Sequence, residues 1–271
     1  MVVLLHGVAL VLYAAAAAVL VASLAGGREG APRAGAYLLI GAVAIHAVAL
    51  GAFVVRFDEL PLVGLAPSFS TLTFILGVVL LPTGLGREAR PIGLVLAPLA
   101  VALLIVALAV GIAPAGEPLT FRGGWFILHV LLALVAYACL ALAFAPGLLY
   151  LIQFRELKSK HFGRWFRFLP SLETLDGLGR RALGIGFPTL TLAMLLGWAW
   201  TVRFDYPMPA TDPKVVWVLL TWTAFAAAIL ARWRGAGRGR HGAYASVLGF
   251  ALVVVSYLLL RLTATSGRVF F

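Results

Sequence analysis

The sequence predicts an all-α integral membrane protein, folded as a bundle of about eight transmembrane helices. Hydrophobic residues make up 63% of the 271 residues and charged residues only 11%, which leaves too little polar surface for a soluble domain of this length. The apolar runs are long, continuous and rich in Ala and Leu, without the alternation of β-strands. Because a spanning segment must satisfy its own backbone hydrogen bonds, such runs favour helices over a barrel.

Eight apolar windows approach the roughly 20 residues that a helix needs to cross a bilayer. The first window lacks the basic flank of a signal peptide, so we expect it to remain as a span. No loop is long enough to form a separate domain, and we expect a single polytopic domain over 1–271. The windows are 2–24, 34–55, 69–85, 91–112, 125–152, 183–202, 214–231 and 243–263.

Lys and Arg are distributed unequally between alternate loops. The second, fourth and sixth loops hold few basic residues, namely Arg56, Arg122 and Arg203, whereas the odd-numbered loops hold most of the others. Basic loops stay in the cytoplasm, so this bias predicts that both termini lie outside the cell (inner or plasma) membrane. The net charge of +11 then suits anionic membrane lipid, and we expect no nucleic-acid partner.

The longest loop, 154–181, divides into two parts. Its first part is basic and aromatic and is expected to continue the fifth helix into the cytoplasm. Its second part follows Pro170, with Ser171 as a candidate N-cap, and predicts a short amphipathic helix over 171–181 that lies on the membrane. This helix serves either as a basic anchor or as a docking surface for a partner. Its leucines recur at helical spacing: Leu172, Leu175 and Leu178.

Motifs for bond-making chemistry are absent from the sequence. Cys139 is the lone cysteine, and no CxxC, CxxCH, P-loop or HExxH motif occurs. These absences argue against a thiol-disulfide carrier, a covalent haem protein and an ATPase. We therefore expect no catalytic residue and a role other than that of an enzyme.

His129 stands near the outer end of the fifth span, in "WFILHVLLALVAYACLALA". Ala133, Ala136 and Ala143 follow on the same helix face, and small residues leave room for a neighbouring helix or a flat ligand. Imidazole is a good axial ligand of haem iron. The alternative is a histidine that is hydrogen-bonded at the membrane interface.

A second histidine, His46, lies midway along the second span, in "AIHAVAL". A polar group at this depth is a functional candidate, as a second ligand, as a proton relay or as a packed neutral side chain. We expect His6 to be interfacial because it lies near the end of the first span. His161 and His241 fall in basic loops and are expected to be solvated.

Tryptophans surround the last external loop. Trp198 and Trp200 mark the outer end of the sixth span, Trp217 lies on the seventh, and Asp212 and Lys214 lie between them. These residues form either an aromatic belt at the membrane surface or an aromatic shelf beside an external ligand. Composition does not distinguish the two.

In the order of these features the chain resembles the cytochrome c assembly family, which includes the CcsA, CcmC and HemX-like proteins. The resemblance extends from about 40 to 265 and is carried mainly by the "LHV" helix, by "LETLDGLGRRALGIGFPTLTLAMLLGWAW" and by "PATDPKVVW". The resemblance implies haem as cofactor, with His129 as the first external ligand of its iron. Trp198, Trp200 and Trp217 would wall the haem, Asp212 or Lys214 would orient its propionates or a partner, and His46 is a candidate second ligand.

The chain departs from the family pattern at several positions. Asp212, Pro213, Lys214 and Trp217 of the family's tryptophan-rich loop are kept, but Pro209 and Thr211 replace its preceding tryptophans. The second external histidine and a further histidine are also missing, since Arg268 and Leu230 stand near the expected places. These departures resemble the HemX-like branch.

Three functions therefore remain open on the sequence. The first is a haem-handling protein of c-type cytochrome assembly, which binds or presents haem at the outer face together with other assembly subunits. The second is a HemX-like regulator or scaffold, which acts through its basic loop on a haem-synthesis enzyme or another membrane protein. The third is a transporter subunit, for which the interruptions "LPTGLG" and "AFAPG" are the only support.

The predicted orientation can be tested by thiol labelling. Cysteine placed at Ser159 should react with an impermeant reagent only after intact cells are permeabilised, because the basic loop is predicted to be cytoplasmic. Cysteine placed at Ser266 should react from outside. Labelling of Ser159→Cys in intact cells would reverse the orientation.

Overall fold

Eight long helices follow one another in the computed structural model, and no strand occurs among the residues described here. The structure describes residues 1–26, 31–85, 90–114, 123–160, 168–205, 208–233 and 238–263. The all-α fold class is therefore confirmed. The helices are α1 (Val2–Gly26), α2 (Ala31–Phe57), α3 (Leu65–Leu85), α4 (Arg90–Val110), α5 (Gly124–Ser159), α6 (Leu172–Arg203), α7 (Pro213–Trp233) and α8 (Arg238–Thr263).

Seven of these helices, α1 to α7, are long and apolar enough to cross a membrane over their described residues. The eighth predicted span, 243–263, falls within α8. The prediction of a multi-pass helical membrane protein is thus confirmed. The helices form two compact units, one containing α1 to α4 and the other containing α5 to α8.

In the first unit, α1 packs against α2 and α4, and α3 packs against α2 and α4. Small side chains let helix backbones approach closely where no water is available to drive association. Gly77 on α3 has this role for Tyr13 on α1, because a methyl group at position 77 would overlap the tyrosine ring. The fully buried alanines of this unit include Ala9, Ala42, Ala49, Ala100 and Ala107.

In the second unit, α5 packs along α6 and α8, and α7 packs against α8 and α6. The helix α5 runs 36 residues to Ser159, so the fifth helix continues through 154–159 of the longest loop, as predicted, and residues 161–167 of that loop lie outside the described part of the chain. It ends at Lys160, where a positive φ of 57° turns the chain and the backbone N–H bonds to the carbonyl of Leu157.

The separate amphipathic helix predicted over 171–181 is wrong. These residues form the first turns of α6, which continues without a break to Arg203. Ser171 is the N-cap, as predicted, and its hydroxyl accepts a hydrogen bond of 3.2 Å from the N–H of Thr174. Leu175 is only 1% exposed, so this face of the helix is covered by protein.

Close packing accounts for two of the four glycines of α6 between 177 and 186, each of which weakens helix propensity. A methyl group at Gly186 would lie 2.6 Å from Cβ of Cys139 and 2.8 Å from Cε1 of Phe225. At Gly179 it would lie 2.7 Å from Nη2 of Arg232. Gly179 and Gly186 therefore let α5 and α7 approach α6, whereas a methyl group at Gly177 or Gly184 would meet no atom within 4 Å.

Burial of Leu175 in the first turns of α6 predicts that Leu175→Ala destabilises the protein by about 2–5 kcal/mol, the cost of a cavity in a core. The exposed Arg181 offers a matched control, since Arg181→Ala should stay within about 0.5 kcal/mol of wild type. Unfolding by SDS in mixed micelles measures both. Equal stability of the two variants would mean that this segment does not pack in the core.

Candidate functional site

His129 projects from the first turns of α5 toward α6. Its Nδ1 lies 2.7 Å from the backbone carbonyl oxygen of Ala193. Because a carbonyl only accepts, Nδ1 carries the hydrogen and donates it. Neutral His129 therefore keeps the lone pair of Nε2 for another partner, and the ring is half-buried.

Gly197 on α6 makes room for this imidazole. A methyl group at position 197 would lie 2.7 Å from Cε1 of His129 and 3.0 Å from Nδ1, closer than side chains can approach. Gly197 follows Ala193 by one helical turn, so the same stretch of α6 supplies both the hydrogen-bond acceptor and the space. The ring orientation is thus set by α6.

Aromatic side chains enclose the junction of α5 and α6. The ring of Phe126 lies 6.2 Å from that of His129 and 5.8 Å from that of Trp200, between ring centroids. Trp200 is buried and also contacts Phe204 at 5.3 Å. Trp125 donates its indole N–H to the carbonyl of Leu196 at 3.0 Å. Trp200 therefore lies near His129, as predicted, with the ring of Phe126 in contact with both side chains.

The other two predicted tryptophans lie elsewhere. Trp198 is 68% exposed, so it faces away from the packed side of α6. Trp217 is buried and donates its indole N–H to the carbonyl of Val253 at 3.2 Å. Its ring contacts Tyr137 at 5.1 Å, eight residues beyond His129 and hence about 12 Å further along α5.

Asp212 caps helix α7. Its Oδ1 accepts a hydrogen bond of 2.8 Å from the N–H of Lys214, and its carbonyl accepts one of 3.0 Å from the N–H of Val216. Pro213 occupies the first helical position, where its missing N–H costs nothing. The Asp-Pro-Lys sequence therefore has a structural role, which is to begin and cap this helix.

His46 belongs to the first unit. Its Nε2 lies 3.0 Å from the hydroxyl of Ser70 and its Nδ1 lies 3.4 Å from that of Tyr13. His6 shares the same serine, with its Nε2 at 2.9 Å. Both histidines are completely buried inside the protein, and the interfacial depth expected for His6 stays a prediction.

Of the remaining predicted positions, His241 is exposed as expected, but it lies in the first turn of α8 and not in a loop. His161 and Arg268 lie outside the described residues. Within the described part of the chain, no three His, Cys, Asp or Glu side chains come together to hold a metal ion. A haem iron has its porphyrin nitrogens already, and needs only axial ligands from the protein.

The donor at His129 fits such a group. An imidazole that binds a metal usually donates its other ring N–H to a carboxylate or a backbone carbonyl, which orients the ring and raises its basicity. His129 has this arrangement through Ala193. The surrounding aromatic side chains add apolar surface of the kind that lines cofactor sites.

Sequence reasoning missed a buried ion pair at the other end of this unit. Arg232, assigned to a loop, has only 4% of its side chain exposed and bonds to a carboxylate oxygen of Asp176. Its Nη2 also lies 3.2 Å from the hydroxyl of Ser246. Gly179 and Gly242 make room for the guanidinium. No local motif reveals such a cluster, since Asp176, Arg232 and Ser246 come from three different helices, α6, α7 and α8.

An imidazole with one free ring nitrogen, set at an aromatic helix junction of a multi-pass membrane protein, defines a candidate cofactor-binding membrane protein. The family model described as cytochrome C assembly protein matches residues 40–266. The chain therefore belongs to the cytochrome c assembly protein family, as the resemblance predicted.

Curated relatives are named cytochrome c biogenesis protein CcsA. The protein of Guillardia theta is 32% identical over 152 residues, which cover 51% of this chain and 50% of the relative. That of Chlamydomonas reinhardtii is 31% identical over 137 residues, covering 51% and 38%. That of a Picosynechococcus species is 37% identical over 92 residues, covering 34% and 27%. The matches span about half the length of these relatives or less.

The buried ion pair predicts an asymmetric response to mutation. Asp176→Leu should destabilise the protein by about 3–5 kcal/mol, because it leaves a buried guanidinium without its carboxylate. The double variant Asp176→Leu/Arg232→Leu should recover part of this loss. Arg180→Ala removes an exposed partner of Asp176 and should cost at most about 1 kcal/mol. SDS unfolding would contradict the pair's role if the double variant were less stable than Asp176→Leu.

Proposed function

We propose that the protein handles haem in c-type cytochrome assembly, binding or presenting it at the outer face of the cell membrane with His129 as an axial ligand of the iron. The observation that carries this proposal is the hydrogen bond from Nδ1 of His129 to the carbonyl of Ala193. It leaves Nε2 as a lone-pair donor, which is the state that iron requires. Membership of the cytochrome c assembly family supports the same function.

Each part of the site has a distinct task in this proposal. Haem would supply an iron with an open axial position, and His129 would fill it. The carbonyl of Ala193 holds the imidazole in one tautomer. Gly197 has no side chain, so the ring can occupy the space beside it. Phe126 and Trp200 provide apolar walls, as proposed for Trp200 on the sequence. The protein positions the group and needs no bond-making residue.

The proposed contributions of the other candidates differ in strength. Lys214 is the second residue of α7 and would be available to pair with a propionate, whereas the Asp212 carboxylate already accepts a hydrogen bond from the N–H of Lys214. Trp198 and Trp217 would meet a large ligand only at its edges, given their exposure and depth. His46 has partners for both ring nitrogens and is therefore disfavoured as an iron ligand.

The basic loops set the orientation in this proposal. The positive-inside rule places the start of α5 and the end of α6 at the outer face, where His129 lies. The relatives are cytochrome c biogenesis proteins and extend beyond the region matched. We infer that this chain works with further assembly subunits, which would supply a second axial ligand and the cytochrome substrate.

A second candidate function is a HemX-like scaffold or regulator that binds a partner without haem. The replacement of the family's tryptophans by Pro209 and Thr211 favours it, as does the structural use of Asp212 as a cap. In that case the basic residues between α5 and α6 would be the contact surface for a haem-synthesis enzyme or another membrane protein. Haem content of the purified protein separates the two functions.

The haem proposal predicts that His129→Ala lowers haem occupancy at least tenfold, a loss of about 1.4 kcal/mol or more of binding free energy. The absorption spectrum of protein purified from its own membrane measures it. His241→Ala is the matched control, because His241 is exposed at the start of α8 and its loss should leave the spectrum unchanged.

Gly197→Leu gives a second, independent variant. Its side chain would enter the space of the imidazole, so haem should be lost although His129 is present. Equal haem content and spectrum in wild type and His129→Ala would show that His129 is not a ligand. Absence of haem from wild type under all conditions would favour the scaffold.

A further inference from the structure

A second histidine cluster lies in the first unit and has no part in the proposed haem site. The Nε2 atoms of His6 on α1 and His46 on α2 lie 2.9 Å and 3.0 Å from the same hydroxyl, that of Ser70 on α3. The imidazole centroids are 5.4 Å apart. All three residues are completely buried, so the serine connects two imidazoles inside membrane-spanning helices.

The hydrogen positions of this cluster follow from its end groups. Nδ1 of His6 lies 2.8 Å from the carbonyl of Val2, which only accepts, so His6 carries its hydrogen there and its Nε2 accepts. Ser70 must then donate its single hydrogen to His6. Its remaining lone pairs accept from Nε2 of His46, and Nδ1 of His46 accepts from the hydroxyl of Tyr13 at 3.4 Å.

The surroundings of the cluster limit its charge. None of the four helices α1 to α4 contains an Asp or Glu. Tyr13 faces His46, and Phe74 packs edge-on against the His46 ring at 5.8 Å. Two imidazolium ions this close, without a carboxylate between the helices, would repel each other strongly in a medium of low dielectric constant.

Few other ionisable groups occur on these four helices. Tyr37 on α2 is exposed, α3 has no ionisable side chain, and α4 contributes only Arg90 at its first residue. Arg33 and Arg56 lie toward the two ends of α2, and the Met1 amino group precedes α1. The turn after α2 holds Asp58 and Glu59, beyond the helices.

We propose that His6, Ser70 and His46 form a proton relay, neutral at rest, that takes up one proton at a time and passes it between the two imidazoles through the serine hydroxyl. The proton comes from water at the end of the unit where α1 begins, since His6 lies one turn from that end. One proton saturates the relay, because the second would create the unpaired dication.

The transfer balances without any redox partner. In one state His46 is the cation, with Nε2–H donated to Ser70 and Nδ1–H donated to Tyr13, while Ser70 donates to Nε2 of His6. The N–H bond at Nε2 of His46 breaks as its hydrogen forms an O–H bond with Ser70. At the same time the original O–H bond of Ser70 breaks and an N–H bond forms at Nε2 of His6. The charge has then moved to His6, and Ser70 donates to His46.

The experiment is a pH titration of the full-length protein in liposomes, with ¹⁵N-labelled histidine followed by solid-state NMR. Signals are assigned with His241→Ala and with single variants of the two buried histidines. In wild type, the ring signals of His6 and His46 should change together, with one midpoint and one proton taken up by the pair. Separate midpoints for the two rings in wild type would overturn the proposal.

Two variants of Ser70 test the role of the hydroxyl. Ser70→Ala removes it without adding bulk, and the two midpoints should then differ by about one pH unit or more, a tenfold difference in proton affinity. Ser70→Thr keeps the hydroxyl and should retain the common midpoint. Unchanged coupling in Ser70→Ala would also overturn the proposal.

Tyr13→Phe supplies a test that spares Ser70 in case that position is needed for folding. Removal of the phenol leaves Nδ1 of His46 without its partner, so the shared proton should shift toward His6 and the His46 signals should move more than those of His6. Identical His46 signals in Tyr13→Phe and wild type would contradict the assigned hydrogen positions.

Discussion

The constraint on which this structure depends is that a polar group inside a membrane-spanning helix must find its partner within the protein, because the hydrocarbon core offers none. Many hydroxyls meet it by bonding back to their own helix, as Thr221 does to the carbonyl of Trp217 at 2.9 Å. Side chains that cannot reach back bond to a neighbouring helix instead. Trp217, His129 and Arg232 do so, and each fixes the position of one helix against another.

Close approach of helices is the condition for these bonds, and glycine supplies it. The imidazole of His129 reaches the backbone of α6 because Gly197 has no side chain. The guanidinium of Arg232 fits between helices because Gly179 and Gly242 leave space. In each case a polar side chain and a glycine on a different helix form one unit of packing, so neither can be understood from its own segment.

The histidines show how the same side chain gives different chemistry in different surroundings. His129 donates a hydrogen bond from Nδ1 to a carbonyl, and its Nε2 remains available, which suits a metal ligand. His6 and His46 use both nitrogens on neighbours, which suits the sharing of a proton. The difference arises from which groups lie opposite each ring, and not from the helices that carry them.

Much of the fold was predictable from the sequence because a bilayer imposes a long apolar run on every span. The eight windows, the N-cap at Ser171 and the continuation of α5 into the following loop follow from local patterns that need no knowledge of neighbours. Membership of the cytochrome c assembly family was also predictable, because the order of its motifs can be read directly from the sequence. His129 was identified as a candidate because an imidazole in an apolar run is costly.

Only the tertiary structure decided how these elements are used. The segment 171–181 has the periodicity of a surface helix, yet it is the start of α6, with Leu175 and Gly179 buried. Trp198 and Trp200 look equivalent in sequence, but their two-residue spacing turns them to different sides of one helix, one exposed and one buried. The pairing of Arg232 with Asp176 joins residues 56 positions apart, and no local pattern encodes such a distance. Partners of buried polar groups are chosen by three-dimensional proximity, which periodicity along one helix does not contain.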